Sequence, residues 1–114
     1  MSSTKSRNIK EEEKVLVASI LELANSADRI SKIPEVVYDL GDGGMGSIKF
    51  SSDAERIYSE DIIQVNYIDS DSTPVIIALT VDNRNELFEL DFWKVNFKKL
   101  LRYPEPNEIN VIRD

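Results

Sequence analysis

Two residue types with versatile side-chain chemistry are missing from this chain. Its 114 residues contain no cysteine and no histidine. Without cysteine the chain forms no disulfide and offers no thiolate nucleophile. Without histidine it lacks the commonest general base near neutral pH and any Ser-His nucleophile pair. Zinc, copper and iron sites then lack their usual ligands, so we expect no metal and no cofactor. Catalysis by carboxylates alone and binding of a hard cation such as calcium are the alternatives left open.

The chain also has no long apolar run. Its longest, residues 75–79, is far shorter than the roughly 20 residues that a membrane helix needs. The polar N-terminal residues lack the apolar stretch of a signal peptide. We therefore expect one soluble cytoplasmic domain that does not bind membranes.

Positive charge is scarce in the body of the chain. The net charge is -7, and in residues 15–97 acidic side chains outnumber basic ones by nine. Such a surface repels phosphate backbones, which argues against a nucleic acid partner. It favours encounter with a basic protein, although acidity also serves solubility alone.

Hydrophobic periodicity predicts a single long helix near the N-terminus. Leu16, Ile20 and Leu23 recur at helical spacing over residues 9–26, and Asn8 with Glu11 resembles a capping box. Residues 1–8 are predicted to be a flexible N-terminus.

Apolar and polar residues alternate in five later segments, which predicts five strands joined by short turns. The segments are residues 35–40, 47–51, 61–69, 75–81 and 88–93. We expect an α+β fold in which the N-terminal helix packs on one face of a roughly five-stranded antiparallel meander. The domain spans 9–104, with Val36 and Tyr38 facing inward and Asp39 outward. The tail 105–114 is expected to be loose or to add a short edge strand.

All four glycines lie within residues 41–46. This segment lacks the lysine and following helix of a phosphate-binding loop, so it favours a turn that requires positive φ angles. Asp69-Ser70-Asp71 starts like a calcium loop but lacks the later glycine and glutamate, which favours a solvated turn.

Glu89 and Asp91 are two residues apart on one predicted strand and therefore point the same way. They are candidates for a carboxylate pair, for a solvated face, or for a binding patch with Trp93. The candidate partner-binding residues are Asp39, Asp42, Asp69, Asp71, Glu89, Asp91 and Trp93.

Two motifs resemble a family of small bacterial proteins of unknown function. They are Asp-Gly-Gly-Met-Gly-Ser at residues 42–47 and Glu-Leu-Asp-Phe-Trp-Lys at residues 89–94. The resemblance spans residues 11–104, and Asn96 stands where the family commonly has aspartate. It implies no catalytic residues.

In size and charge the chain is also similar to immunity proteins of bacterial toxin systems, which bind and block a cognate toxin. We therefore expect a non-catalytic immunity-type protein whose partner is a basic toxin domain, nuclease-like in character. The alternative is a small-ligand or regulatory module, with a pocket at the glycine segment and the strand ends.

Overall fold

The computed structural model describes residues 5–112, which form an α+β fold with one antiparallel sheet. The strands are β1 (Ser6–Asn8), β2 (Val36–Asp39), β3 (Ile48–Lys49), β4 (Tyr58–Ile68), β5 (Pro74–Asp82), β6 (Leu87–Lys94) and β7 (Asn110–Val111). Helix α1 spans Glu11–Leu23, and 3-10 helices span Ala27–Lys32 and Pro106–Glu108. None of the described helices is long and apolar enough to cross a membrane.

The α+β class is confirmed, but the prediction of five strands is wrong because the sheet has seven. The helix is not the first element either, because β1 pairs with β2 within the segment predicted to be flexible. Residues 1–4 and 113–114 lie outside the described part. Strand β7 pairs with β4, as the expected edge strand in the C-terminal tail.

The sheet is not a simple meander. Its strand order is β1-β2-β3-β6-β5-β4-β7, so β3 pairs with β6 and not with its successor β4. Residues 50–57 connect β3 to β4, which lies on the far side of β5 and β6. The sequence pattern did not predict this strand order, because alternation of apolar and polar residues identifies a strand but not the strand that pairs with it.

Helix α1 is shorter than predicted at both ends. It begins after Lys10, whose backbone N–H donates to the Glu13 carboxylate at 2.8 Å, so Asn8 is not the cap. It ends at Leu23, with Ala24 as its C-cap, and the next residue, Asn25, has a left-handed φ of 57°. Such a residue commonly terminates a helix.

One hydrophobic core joins the helix to one face of the sheet. Leu16, Val17, Ile20 and Leu21 belong to the same buried cluster as the inward residues of β4, β5 and β6. In β2 the buried residue is Val37, while Val36 is exposed, so the predicted phase of this strand is wrong. Consecutive apolar residues made either phase compatible with the sequence.

Candidate functional site

The sheet face opposite the helix is open, and it carries the predicted Glu89, Asp91 and Trp93. Cross-strand partners in an antiparallel sheet point to the same side, and Asp91 is opposite Ala78 while Trp93 is opposite Ile76. A cavity of about 390 Å³, called here the acidic groove, lies on this face. It is lined by Tyr58, Asp61, Gln64, Ile76, Ala78, Thr80, Glu89, Asp91 and Trp93.

Three carboxylates line the acidic groove, and none of its lining residues is basic. Partial burial raises the pKa of Glu89, and the negative charge of Asp91 adds to this effect. Partial burial likewise raises the pKa of Asp91, against a hydrogen bond from Ser47. Both groups are therefore ionised at a cost that a bound cation would relieve.

Asp61 provides the third carboxylate of the acidic groove. Its carboxylate accepts hydrogen bonds from the Tyr58 hydroxyl at 2.9 Å and from the Gln64 amide at 2.7 Å. These bonds fix the carboxylate in place. In the described residues no group of three carboxylates is arranged to hold a metal ion, so the groove presents separate negative charges.

Glu89→Gln is expected to stabilise the fold near neutral pH by about 0.5 kcal/mol, a small effect because Glu89 is partly solvated. A carboxylate whose folded-state pKa is raised destabilises the fold above that pKa, and the penalty disappears as pH falls through it. Urea unfolding should therefore show the gain at pH 7 and a smaller gain below pH 4.5, the ordinary pKa. Exposed Glu60, outside the groove, provides the matched Glu→Gln control. A loss of stability of the Glu89→Gln variant at pH 7 would contradict the claim that ionised Glu89 destabilises the fold.

Beside the acidic groove, the open face becomes apolar. Ile68 is paired with Pro74, and the Val95 N–H donates to the Pro74 carbonyl. These three residues therefore lie on the same face of the sheet as Trp93. The side chains of Ile68, Trp93, Val95 and Phe97 are exposed. The Trp93 and Phe97 rings lie 6.4 Å apart. We call Ile68, Pro74, Trp93, Val95 and Phe97 the apolar end of the open face.

Asp42 and the glycine segment form a structured turn. The Asp42 carboxylate accepts the backbone N–H groups of Met45 at 3.1 Å and Ser47 at 3.0 Å. Gly43, Gly44 and Gly46 all have positive φ angles. The expected requirement for positive φ is thereby confirmed. Asp42 is thus engaged in holding the turn.

The two motifs meet in space. The Ser47 hydroxyl accepts the Phe92 N–H at 2.8 Å, and the Met45 sulfur accepts the Lys94 N–H at 3.3 Å. The Gly44 carbonyl accepts the N–H of Leu100, in the loop that follows β6. The glycine turn therefore holds the end of β6 in place, and this end carries Trp93 on the open face of the sheet.

A buried ion pair lies beneath this turn. The Lys94 ammonium and the Asp69 carboxylate are both fully buried and 2.8 Å apart, and Asp71 lies 3.0 Å from the same ammonium. Asp69 also accepts the backbone N–H groups of Leu101 at 2.8 Å and Arg102 at 3.1 Å. Burial favours the neutral acid, but these hydrogen bonds outweigh it and lower the pKa of Asp69.

Asp39 lies away from the groove, on the helix side of the sheet edge. Its carboxylate accepts a 2.8 Å bond from Arg7, which also binds the buried Glu13 of α1 at 2.7 Å. This hydrogen bond with Arg7 lowers the pKa of Asp39. The predicted outward orientation beside Glu89 and Asp91 is wrong because β2 has the opposite phase.

The acidic groove therefore contains only three of the seven candidate residues: Glu89, Asp91 and Trp93. Asp42, Asp69 and Asp71 hold loops in place. Because Asp69 is buried, its carboxylate is inaccessible to a partner protein. Asp61 and Tyr58 are groove residues that the sequence pattern did not predict. Tyr58 precedes the predicted strand, which began at residue 61. Strict alternation would have placed Asp61 on the inward face with Ile63, but a register shift between Asp61 and Ile63 pairs Asp61 with Thr80 on the open face.

Comparisons with known proteins identify a family but no activity. Residues 6–104 match a family described as a domain of unknown function, DUF6984. The chain belongs to this family, in agreement with the resemblance to an uncharacterised one. No curated protein and no solved structure matches the chain.

Proposed function

We propose that this protein is an immunity-type inhibitor that binds and blocks a cognate basic toxin domain, nuclease-like in character, without catalysing a reaction. Its binding surface is the open face of the sheet, and the mechanism is steric and electrostatic occlusion. The inhibitor acts in the cytoplasm, where a nuclease would otherwise reach its substrate.

The observation that carries this proposal is the division of the open face into a charged part and an apolar part. The acidic groove holds three carboxylates without a lining base. Trp93 lines the groove and also belongs to the apolar end, where Phe97 is exposed as well. Protein interfaces commonly combine such a desolvated aromatic anchor with charged groups that direct the approach.

The chemistry of a nuclease fits such a surface. A domain that binds phosphate backbones presents lysine and arginine side chains, which the groove carboxylates attract. Asp61, Glu89 and Asp91 would take the place of substrate phosphates and hold these side chains. The apolar end would then exclude water and slow dissociation.

The first test is capture of a partner from the native cell. Tagged protein should retain a basic protein at low salt and release it as salt rises, and co-expression should relieve the toxicity of that protein. Retention of no protein at low salt would overturn the proposal, as would a partner whose toxicity is unaffected.

Charge reversal in the groove locates the interface. Glu89→Lys and Asp91→Lys are each expected to slow association with the captured partner about tenfold or more at low salt, and to flatten its dependence on ionic strength. Stopped-flow or surface-plasmon kinetics measures both quantities. Glu22→Lys, which reverses an exposed charge on α1, is the matched control. Equal rates in all three variants would place the interface elsewhere.

A further inference from the structure

A second cavity lies at the other end of the sheet, and its lining is basic although the chain is acidic. It has a volume of about 250 Å³ and lies beside the turn between β5 and β6. Arg29, Lys32 and Arg56 all line it. Three basic side chains from two separate segments therefore converge in a protein of net charge -7.

Both arginines are held in place by hydrogen bonds. Arg29 donates to the Asn85 backbone carbonyl at 2.8 Å and to its side-chain oxygen at 3.0 Å. Arg56 donates to Asp82 and to the Leu87 carbonyl. Their guanidinium groups are thus oriented before any ligand arrives, which lowers the entropy cost of binding.

The positive charge of the cavity is only partly compensated. Asp82 is buried and engaged with Arg56 and with the backbone N–H groups of Arg84 and Glu86. The Glu86 carboxylate lies 3.7 Å from Arg56, beyond hydrogen-bond distance, and is mostly exposed. Lys32 forms no ion pair within the part of the chain that the structure describes.

We infer that this cavity binds a small phosphate monoester. The phosphate oxygens would lie between Lys32 and the Nη1 side of Arg56 and displace Glu86, while Pro34 and Leu87 provide an apolar wall for the organic group. A phosphate dianion matches several converging cations better than a single carboxylate does. The volume limits the organic group to a small one.

This site does not depend on the proposed inhibitor function. The acidic groove occupies the open face of the sheet and shares no lining residue with the basic cavity. Loss of phosphate binding would leave the capture of a basic partner unaffected. Failure to capture a basic partner would likewise leave phosphate binding unaffected.

The test is a titration followed by amide chemical shifts at constant ionic strength, with inorganic phosphate, phenyl phosphate and sodium chloride as the three probes. We expect saturable shifts for residues 29–34 and 84–87 with both phosphates, none with chloride, and tighter binding of the ester. Lys32→Ala should weaken phenyl phosphate binding about tenfold, the effect of losing one charge-assisted hydrogen bond. Glu86→Gln should strengthen it, because the competing carboxylate is gone.

Lys98→Ala, which removes an exposed lysine outside the cavity, is the control. Shifts that are non-saturable or spread over the surface would overturn the inference, as would equal losses in the Lys32 and Lys98 variants. Equal affinity for inorganic phosphate and the ester would show that the apolar wall is unused, and would overturn the assignment of a monoester.

Discussion

Asp69→Ala is expected to lower the free energy of unfolding by about 3–5 kcal/mol, the cost of breaking the buried pair with Lys94 and of leaving two backbone N–H groups without their acceptor. This carboxylate ties the turn between β4 and β5 to the end of β6 and to the loop that follows it, because it holds Lys94 and accepts the N–H groups of Leu101 and Arg102. Chemical denaturation measures the loss. Hydrogen exchange should show early deprotection of the Leu101 and Arg102 amides.

Asp71→Ala is the matched control, because Asp71 also pairs with Lys94 but remains partly exposed. Its effect should be much smaller. The contribution of Asp69 also predicts a pH dependence, since its pKa is lowered from the ordinary 3.8. Its stabilisation is complete above that value and is lost as pH falls through the folded-state pKa, so the variant should respond less to acid. Equal losses in the two variants would show that burial of the Lys94–Asp69 pair is unimportant.

Trp93→Ala is expected to weaken binding of the captured partner by about 2–4 kcal/mol, which is roughly thirtyfold to a thousandfold in Kd. Trp93 belongs to both the acidic groove and the apolar end, and its ring lies next to that of Phe97. A central aromatic residue of this kind becomes fully desolvated in a complex. The loss should appear mainly as faster dissociation, in contrast to the slower association expected for charge reversal.

Leu23→Ala provides the control for Trp93. Leu23 lies on α1 and is 45% exposed, the same fraction as Trp93. Both variants should fold, which circular dichroism can check, but only the Trp93 variant should bind weakly. If the two variants bind alike, the open face is not the interface even where a basic partner exists.

The candidate site was predictable only where the sequence pattern was unambiguous. In β6 the acidic and aromatic residues alternate strictly with Leu90 and Phe92, so the shared face of Glu89, Asp91 and Trp93 followed from the sequence. In β2, Val36 and Val37 are adjacent, and either one could have faced the core. The structure buries Val37, which moves Asp39 away from the groove.

The sequence by itself determined the α+β class, the presence of α1, and the central strands, because their periodic side chains have only one way to bury an apolar face. Composition alone also set the excess of negative charge. Only the tertiary structure decided which carboxylates remain free. Lys94 and Asp69 are 25 residues apart, and their pairing requires closure of loops that no local pattern records. The same long-range folding places three basic residues around one cavity and three acidic residues around another. Charge pairing depends on distances across the fold, whereas periodicity depends on neighbours along the chain.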